Sequence, residues 1–164
     1  NGKLIDNEYS LNSYIKKLSS LKREKDALAA KKAKEARERQ RVAERERKER
    51  YARQHPIKIR VTCALRSTSM NVGQCFVSQS KYASDGQISI SEGGNSYEER
   101  GLELLKKGER SWQKDIRGNS CYISAQKSDE EYMTVKLEAI SNETGEVLQT
   151  KSCSGPYCSV AVRC

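Results

Sequence analysis

Cysteine is the residue type in this sequence whose number and spacing point most clearly to chemistry. The chain of 164 residues has six, all in its C-terminal two thirds: Cys63, Cys75, Cys121, Cys153, Cys158 and Cys164. Structural zinc sites usually take their ligands from closely spaced pairs such as CxxC. Because the successive intervals here are 12, 46, 32, 5 and 6 residues, we predict disulfides, with no metal ligand and no cofactor. An even number of disulfide-forming cysteines indicates an oxidising compartment.

The pairing of these cysteines is left open by their spacing, since six cysteines allow fifteen combinations. We favour a short loop around Ser154-Gly155-Pro156-Tyr157, a bridge across a first hairpin and a bridge to the last residue. The corresponding pairs are Cys153–Cys158, Cys63–Cys75 and Cys121–Cys164. A bridge to the last residue would hold a terminal strand that otherwise frays.

Residues suited to catalysis are sparse. His55 is the only histidine and stands next to Pro56, so any Ser-His-Asp or Cys-His arrangement would depend on one residue at the end of a helix. We therefore predict no catalytic residues. Acidic pairs such as Glu98-Glu99 leave one alternative open, a secreted or envelope hydrolase that uses two carboxylates.

Positive charge is concentrated in the N-terminal third of the chain. Residues 1–55 contain 17 Lys and Arg and 9 Asp and Glu, whereas residues 56–164 contain 14 and 13. A basic segment of this kind suits contact with an anionic membrane or a cell-wall polymer. Nucleic-acid binding is a second alternative, but the interspersed acidic residues would repel phosphates and an oxidising compartment argues against it.

Residues 6–54 are predicted to form one helix of roughly 70 Å, at about 1.5 Å per residue. The segment lacks Gly and Pro and is rich in good helix formers, and Pro56 ends it. Its first half carries a heptad seam of apolar side chains: Leu4, Leu11, Tyr14, Leu18, Leu21 and Leu28. This seam predicts a coiled coil that associates with itself or with a partner helix. In the second half, ion pairs at i,i+4 replace the seam and indicate a solvated spacer.

From Ile57 onward the apolar residues recur with a period of two, which is typical of half-buried strands. We predict strands over residues 57–65, 74–80, 87–91, 120–126, 132–140, 146–150 and 158–164. A capping-box pattern at Ser96 and Glu99 predicts one short helix that ends at Gly108. The predicted fold class is α+β: a partly coiled-coil helical stalk (1–55) followed by a disulfide-stabilised antiparallel β-sandwich or barrel (56–164).

Two aromatic residues are predicted to be exposed. Trp112 lies in a polar connection, and Tyr157 lies in the loop that Cys153 and Cys158 would close. Large aromatic side chains on a surface favour contact with a protein partner. We therefore select Trp112 and Tyr157 as candidates for a contact surface.

These features together predict a non-enzymatic, extracytoplasmic protein-binding module. The stalk would be attached to a membrane by a segment before Asn1, and the head would bind a protein partner in the periplasm or outside the cell. In layout alone, the chain is similar to envelope-spanning proteins of the Tol and Ton type, which join an anchor, a charged helical stalk and a small head. The six cysteines depart from that pattern, so the analogy concerns architecture and not function.

Overall fold

The structure is a computed structural model that describes residues 2–118, 120–129 and 131–164, with the backbone alone for residues 2–10. Its elements, in chain order, are α1 (Gly2–Gln54), β1 (Ile57–Leu65), β2 (Thr68–Met70), a 3₁₀ helix (Val72–Cys75), β3 (Gln87–Glu92), β4 (Asn95–Arg100), α2 (Gly101–Lys107), β5 (Ser111–Ile116), β6 (Cys121–Gln126), β7 (Met133–Ser141), β8 (Val147–Ser154) and β9 (Ser159–Arg163). The chain divides into two compact units, residues 1–48 and 49–164.

All described residues of the first unit belong to helix α1. The predicted helix is confirmed, and every described side chain from residue 11 to residue 48 is exposed. The predicted ion pair between Glu44 and Lys48 is present, with an N–O distance of 2.7 Å. A further ion pair joins Glu38 to Arg41 at 3.4 Å. Such contacts support a helix that has no core of its own.

The second unit contains two antiparallel sheets. In one, β1 pairs with β2, β5 and β7, and β7 pairs with β8; in the other, the strand order is β4-β3-β6-β9. As the period-two pattern predicts, alternate residues of β1, such as Ile59 and Val61, are fully buried. Residues from both sheets form one hydrophobic cluster. The prediction of antiparallel sheets in a sandwich-like arrangement is confirmed.

Three disulfides are present in the second unit. Cys63 pairs with Cys75, Cys121 with Cys164, and Cys153 with Cys158, with Cα–Cα distances of 5.8, 4.8 and 6.0 Å. These are the pairs that the spacing argument favoured. They leave none of the six cysteines free.

Two sequence-based assignments of secondary structure are wrong. The segment predicted as a strand over 74–80 begins instead with the 3₁₀ helix, for which Asn71 and Gln74 form the capping box. The predicted capping box, at Ser96 and Glu99, lies in strand β4, although the short helix that it was to begin is present as α2 and ends at Gly108 as predicted. Gly93 and Gly94 have φ values of 55° and 84°, which is the requirement of a two-residue hairpin turn, so the next residues pair with β3.

The predicted exposure of Trp112 is also wrong. Residues 111–116 form strand β5, in which Trp112 lies opposite Val61 of β1. The indole is 5% exposed and belongs to the hydrophobic cluster. Its polar neighbours gave the appearance of a connection because they occupy the other face of the same strand.

Candidate functional site

Three tyrosines are the most exposed aromatic side chains of the second unit's described residues. Tyr82 is 101%, Tyr132 76% and Tyr157 50% exposed. Each lies in a different loop: the first loop (76–86), the second loop (127–132) and the third loop (154–158). A large aromatic side chain left in water forgoes favourable burial, so three of them on loops that are joined to one another form a candidate contact surface.

The three loops meet at Ser128, a fully buried residue of the second loop. Its hydroxyl oxygen lies 3.0 Å from the carbonyl oxygen of Cys75 and 3.1 Å from that of Val77. Its backbone N–H donates to the Cys75 carbonyl at 3.0 Å, and its own carbonyl accepts from the N–H of Tyr157 at 2.9 Å. One residue therefore fixes the first and third loops against the second.

The second loop is also held at its base by Lys127, which is 1% exposed. The backbone N–H of Lys127 donates to the Cys158 carbonyl at 2.9 Å, and its ammonium group donates to the Met133 carbonyl. A buried ammonium group is costly unless oxygen atoms accept its protons. The two ends of the second loop are joined by this contact.

The first loop is closed on itself. The N–H of Gly86 donates to the Phe76 carbonyl at 2.7 Å, and the Asp85 carboxylate accepts from the N–H of Ser78 at 2.8 Å. Gly86 also contacts the second loop closely, because a Cβ there would lie 2.7 Å from the backbone nitrogen of Ser128. Tyr82 is therefore presented by an ordered loop whose ends are close together, as in an Ω-loop.

The third loop places Tyr157 in a strained conformation. Its φ is 54°, in the left-handed region that favours glycine, and the Cys153–Cys158 disulfide encloses the loop. A non-glycine residue pays about 1–2 kcal/mol for this conformation. Strain of this kind concentrates at functional sites, and a side chain that is half exposed gives the fold little packing in return.

The chemistry of this surface, which we call the tyrosine surface (Tyr82, Tyr132 and Tyr157), is that of recognition. Tyrosines on serine- and glycine-containing loops supply rigid contact area at low cost in conformational entropy. The second loop adds acidic side chains, and Oδ1 of Asp129 is buried with no hydrogen-bond partner among the residues that the structure describes. The exposed rings and the exposed carboxylate of Glu131 therefore suit a partner that presents apolar area and hydrogen-bond donors.

The buried carboxylate of Glu138 and the partly buried one of Asp115 lie elsewhere and are poorly suited to acid catalysis. Burial raises the pKa of Glu138, but hydrogen bonds from Lys136 and Arg60 together lower it by more than burial raises it. The pKa of Glu138 is therefore below its usual value. Burial likewise raises the pKa of Asp115, while hydrogen bonds from Asn142 and Tyr51 bring it below its usual value. A general acid in a glycoside hydrolase requires the opposite shift.

The other sequence-predicted residues are distributed as follows. Tyr157 belongs to the tyrosine surface, whereas Trp112 lies in the core. Tyr82, Tyr132 and Ser128 were missed in the sequence analysis. The run around Tyr82 was a usable signal, because it is polar apart from the small Ala83.

The described residues of the predicted seam, from Leu11 to Leu28, are all at least half exposed. The side chain of Leu4 lies outside the described residues. No described helix is both long and apolar enough to span a membrane.

Within the described ranges, no three or more His, Cys, Asp or Glu side chains are grouped so that they could hold a metal ion. Comparison with known proteins gives no match to a family model, to a curated protein or to a solved structure.

Proposed function

We propose that this chain is a non-enzymatic, extracytoplasmic protein-binding module whose tyrosine surface binds a protein partner. The observation that carries the proposal is the arrangement of Tyr82, Tyr132 and Tyr157 on three loops that are tied to the buried Ser128. Fixed loops keep the tyrosines in one arrangement before the partner arrives, which lowers the entropic cost of binding.

The extracytoplasmic location is supported by the three disulfides, since such bridges persist in oxidising compartments and are rare in the cytosol. One of them encloses the loop that carries Tyr157. The binding surface itself would therefore depend on an oxidising environment.

Helix α1 has two roles in this proposal. Its apolar seam is proposed to form a coiled coil by self-association, because these side chains are at least half exposed in the single chain. Its basic residues are proposed to lie close to an anionic membrane or cell-wall polymer, which is worth about 1 kcal/mol per Lys or Arg near the surface.

The test is retention of native-host envelope and secreted proteins by the immobilised full chain. The variant Tyr82→Ser/Tyr132→Ser/Tyr157→Ser should lose its specific partner, because each truncated aromatic hot spot costs about 2 kcal/mol, or roughly 30-fold in affinity.

The matched control is Tyr122→Ser, because Tyr122 is 45% exposed but lies on β6, outside the three loops. This control should retain the same proteins as the unmodified chain. If the triple variant also retains all of them, the tyrosine surface is not the binding site.

A further inference from the structure

The apolar seam of α1 carries information about the orientation of its partner. In the heptad pattern, Leu11 and Leu18 occupy a positions, while Tyr14, Leu21 and Leu28 occupy d positions. Ile15 lies beside the seam and is also more than half exposed. We propose that this seam pairs with the same seam of a second copy in antiparallel orientation, with the two Ile15 side chains meeting at the two-fold axis. The inference deepens the self-association part of the proposed function.

Antiparallel pairing with its two-fold axis level with residue 16, beside the two Ile15 side chains, brings the apolar residues of the seam opposite one another, while Lys25 lies opposite the heptad position of Asn7. Leu11 of one chain lies opposite Leu21 of the other, and Tyr14 lies opposite Leu18. Leu28 lies opposite the heptad position of Leu4. The two-fold axis repeats each of these layers, so every a residue of the seam meets a d residue of similar size.

The flanking charges agree with this orientation. Lys22 falls opposite the heptad position of Glu8, and the two-fold axis repeats this pair of opposite charges. Two flanking contacts are unfavourable, since Lys17 falls opposite itself and Lys31 falls opposite the heptad position of Lys3, but long lysine side chains can extend into solvent. In this orientation no residue of the charged second half of α1 faces its own copy, so its like charges are not brought opposite one another.

Parallel pairing in register would bring each residue opposite itself. Lys25 would then face Lys25, and the layers after Leu28 would oppose like charges at each of these positions: Lys32, Glu35, Arg39, Glu46 and Glu49. Lys17 would also face Lys22 at the flanks. Like charges in coiled-coil contacts are destabilising and select against a pairing mode, so the charges favour the antiparallel dimer over the parallel one.

The test is disulfide trapping in the full chain, in which all six native cysteines are already paired. Ile15→Cys should cross-link to itself under mild oxidation, because residue 15 meets its copy only in the antiparallel register. Leu21→Cys is the reverse probe, since it meets its copy only in the parallel register. Ser20→Cys, on the side of the helix away from the seam, is the matched control.

We expect covalent dimer from Ile15→Cys at several times the rate of Leu21→Cys and Ser20→Cys. Sedimentation of the unmodified chain should give about twice its mass of 18.6 kDa at high concentration. Faster trapping of Leu21→Cys would overturn the antiparallel orientation while leaving self-association intact.

The monomer mass of 18.6 kDa at every concentration would overturn self-association. The seam would then be left for a helix of another protein. Neither result bears on the tyrosine surface, whose test uses variants far along the chain. The two proposals can therefore fail separately.

Discussion

Tyr157 combines a strained backbone with a side chain that the fold hardly uses. Its φ of 54° suits glycine or asparagine better than an aromatic residue, and half of its side chain is in water. A residue of this kind is favoured when binding benefits from the side chain more than folding loses from the strain. Stability and binding should therefore respond to its replacement with opposite signs.

Tyr157→Asn is expected to raise the free energy of unfolding by about 0.5–1 kcal/mol, because asparagine tolerates the left-handed conformation. The same variant should weaken retention of the protein partner. Urea unfolding and the retention assay measure the two effects. Tyr122→Asn, in a strand, is the control and should lose stability; a loss for Tyr157→Asn as well would contradict the strain argument.

At the scale of elements, the disulfides close loops of very different length. Cys121 and Cys164 are 43 residues apart, Cys63 and Cys75 are 12 apart, and Cys153 and Cys158 are 5 apart. Closing a longer loop removes more conformational freedom from the unfolded chain. The three bridges are therefore expected to contribute unequally to stability.

Replacing both cysteines of a pair by serine should lower the free energy of unfolding. The expected loss is about 4 kcal/mol for Cys121–Cys164, about 3 kcal/mol for Cys63–Cys75 and about 2 kcal/mol for Cys153–Cys158. Chemical unfolding of the three double variants measures this series. The unmodified protein, when unfolded without reductant, should show no free thiol in a titration. An equal loss for all three pairs would indicate that strain or packing, and not loop closure, determines their effect.

The pairing of β1 with β7 places Arg60 opposite Glu138, and Lys136 also contacts that carboxylate, at 2.6 Å. Because the pKa of Glu138 is lowered in the folded state, its ionised form stabilises the fold above the ordinary glutamate value of about 4.3. This contribution is lost as the pH falls below that value and through the folded pKa.

Glu138→Gln should therefore be less stable than the unmodified chain at pH 7, by about 1 kcal/mol, since both cationic partners are partly in water. The difference should vanish in strong acid. Urea unfolding as a function of pH provides the measurement, with Glu146→Gln as the control at an exposed position. A difference that persists in strong acid would show that shape, and not charge, is responsible.

Elements with a clear hydrophobic period could be predicted from the sequence, and those fixed by distant contacts could not. Strands β1 and β6 alternate regularly and were located, as was α1. Strand β4 was missed because the Gly93-Gly94 turn, and not the capping-box pattern, decides its conformation. The tyrosine surface was predicted only at Tyr157, since the meeting of the loops depends on Ser128 contacting residues more than fifty positions away.

For the whole molecule, the uneven charge distribution predicts a salt-dependent association. The full chain should sediment with vesicles rich in phosphatidylglycerol at low ionic strength, because residues 1–55 contain 17 basic and 9 acidic side chains. Added salt should release it, since screening shortens the range of the attraction. Vesicles of neutral phosphatidylcholine are the control, and equal binding to both would exclude an electrostatic origin.

Self-association would also change how the molecule binds. An antiparallel dimer carries two copies of the tyrosine surface, and a second contact with a multivalent partner becomes intramolecular once the first has formed. Modest affinity at each surface would then suffice for durable attachment.

The hydrogen bonds of Ser128 are made to main-chain atoms: the carbonyl of Cys75, just before the first loop, the carbonyl of Val77 in that loop, and the N–H of Tyr157 in the third loop. Main-chain groups are present whatever side chain a loop residue carries. Exposed positions of these loops, apart from Asp85 whose carboxylate closes the first loop, can therefore be exchanged without disturbing their support. The same framework could display altered loop sequences, so that specificity evolves, or is selected from a library, independently of the fold.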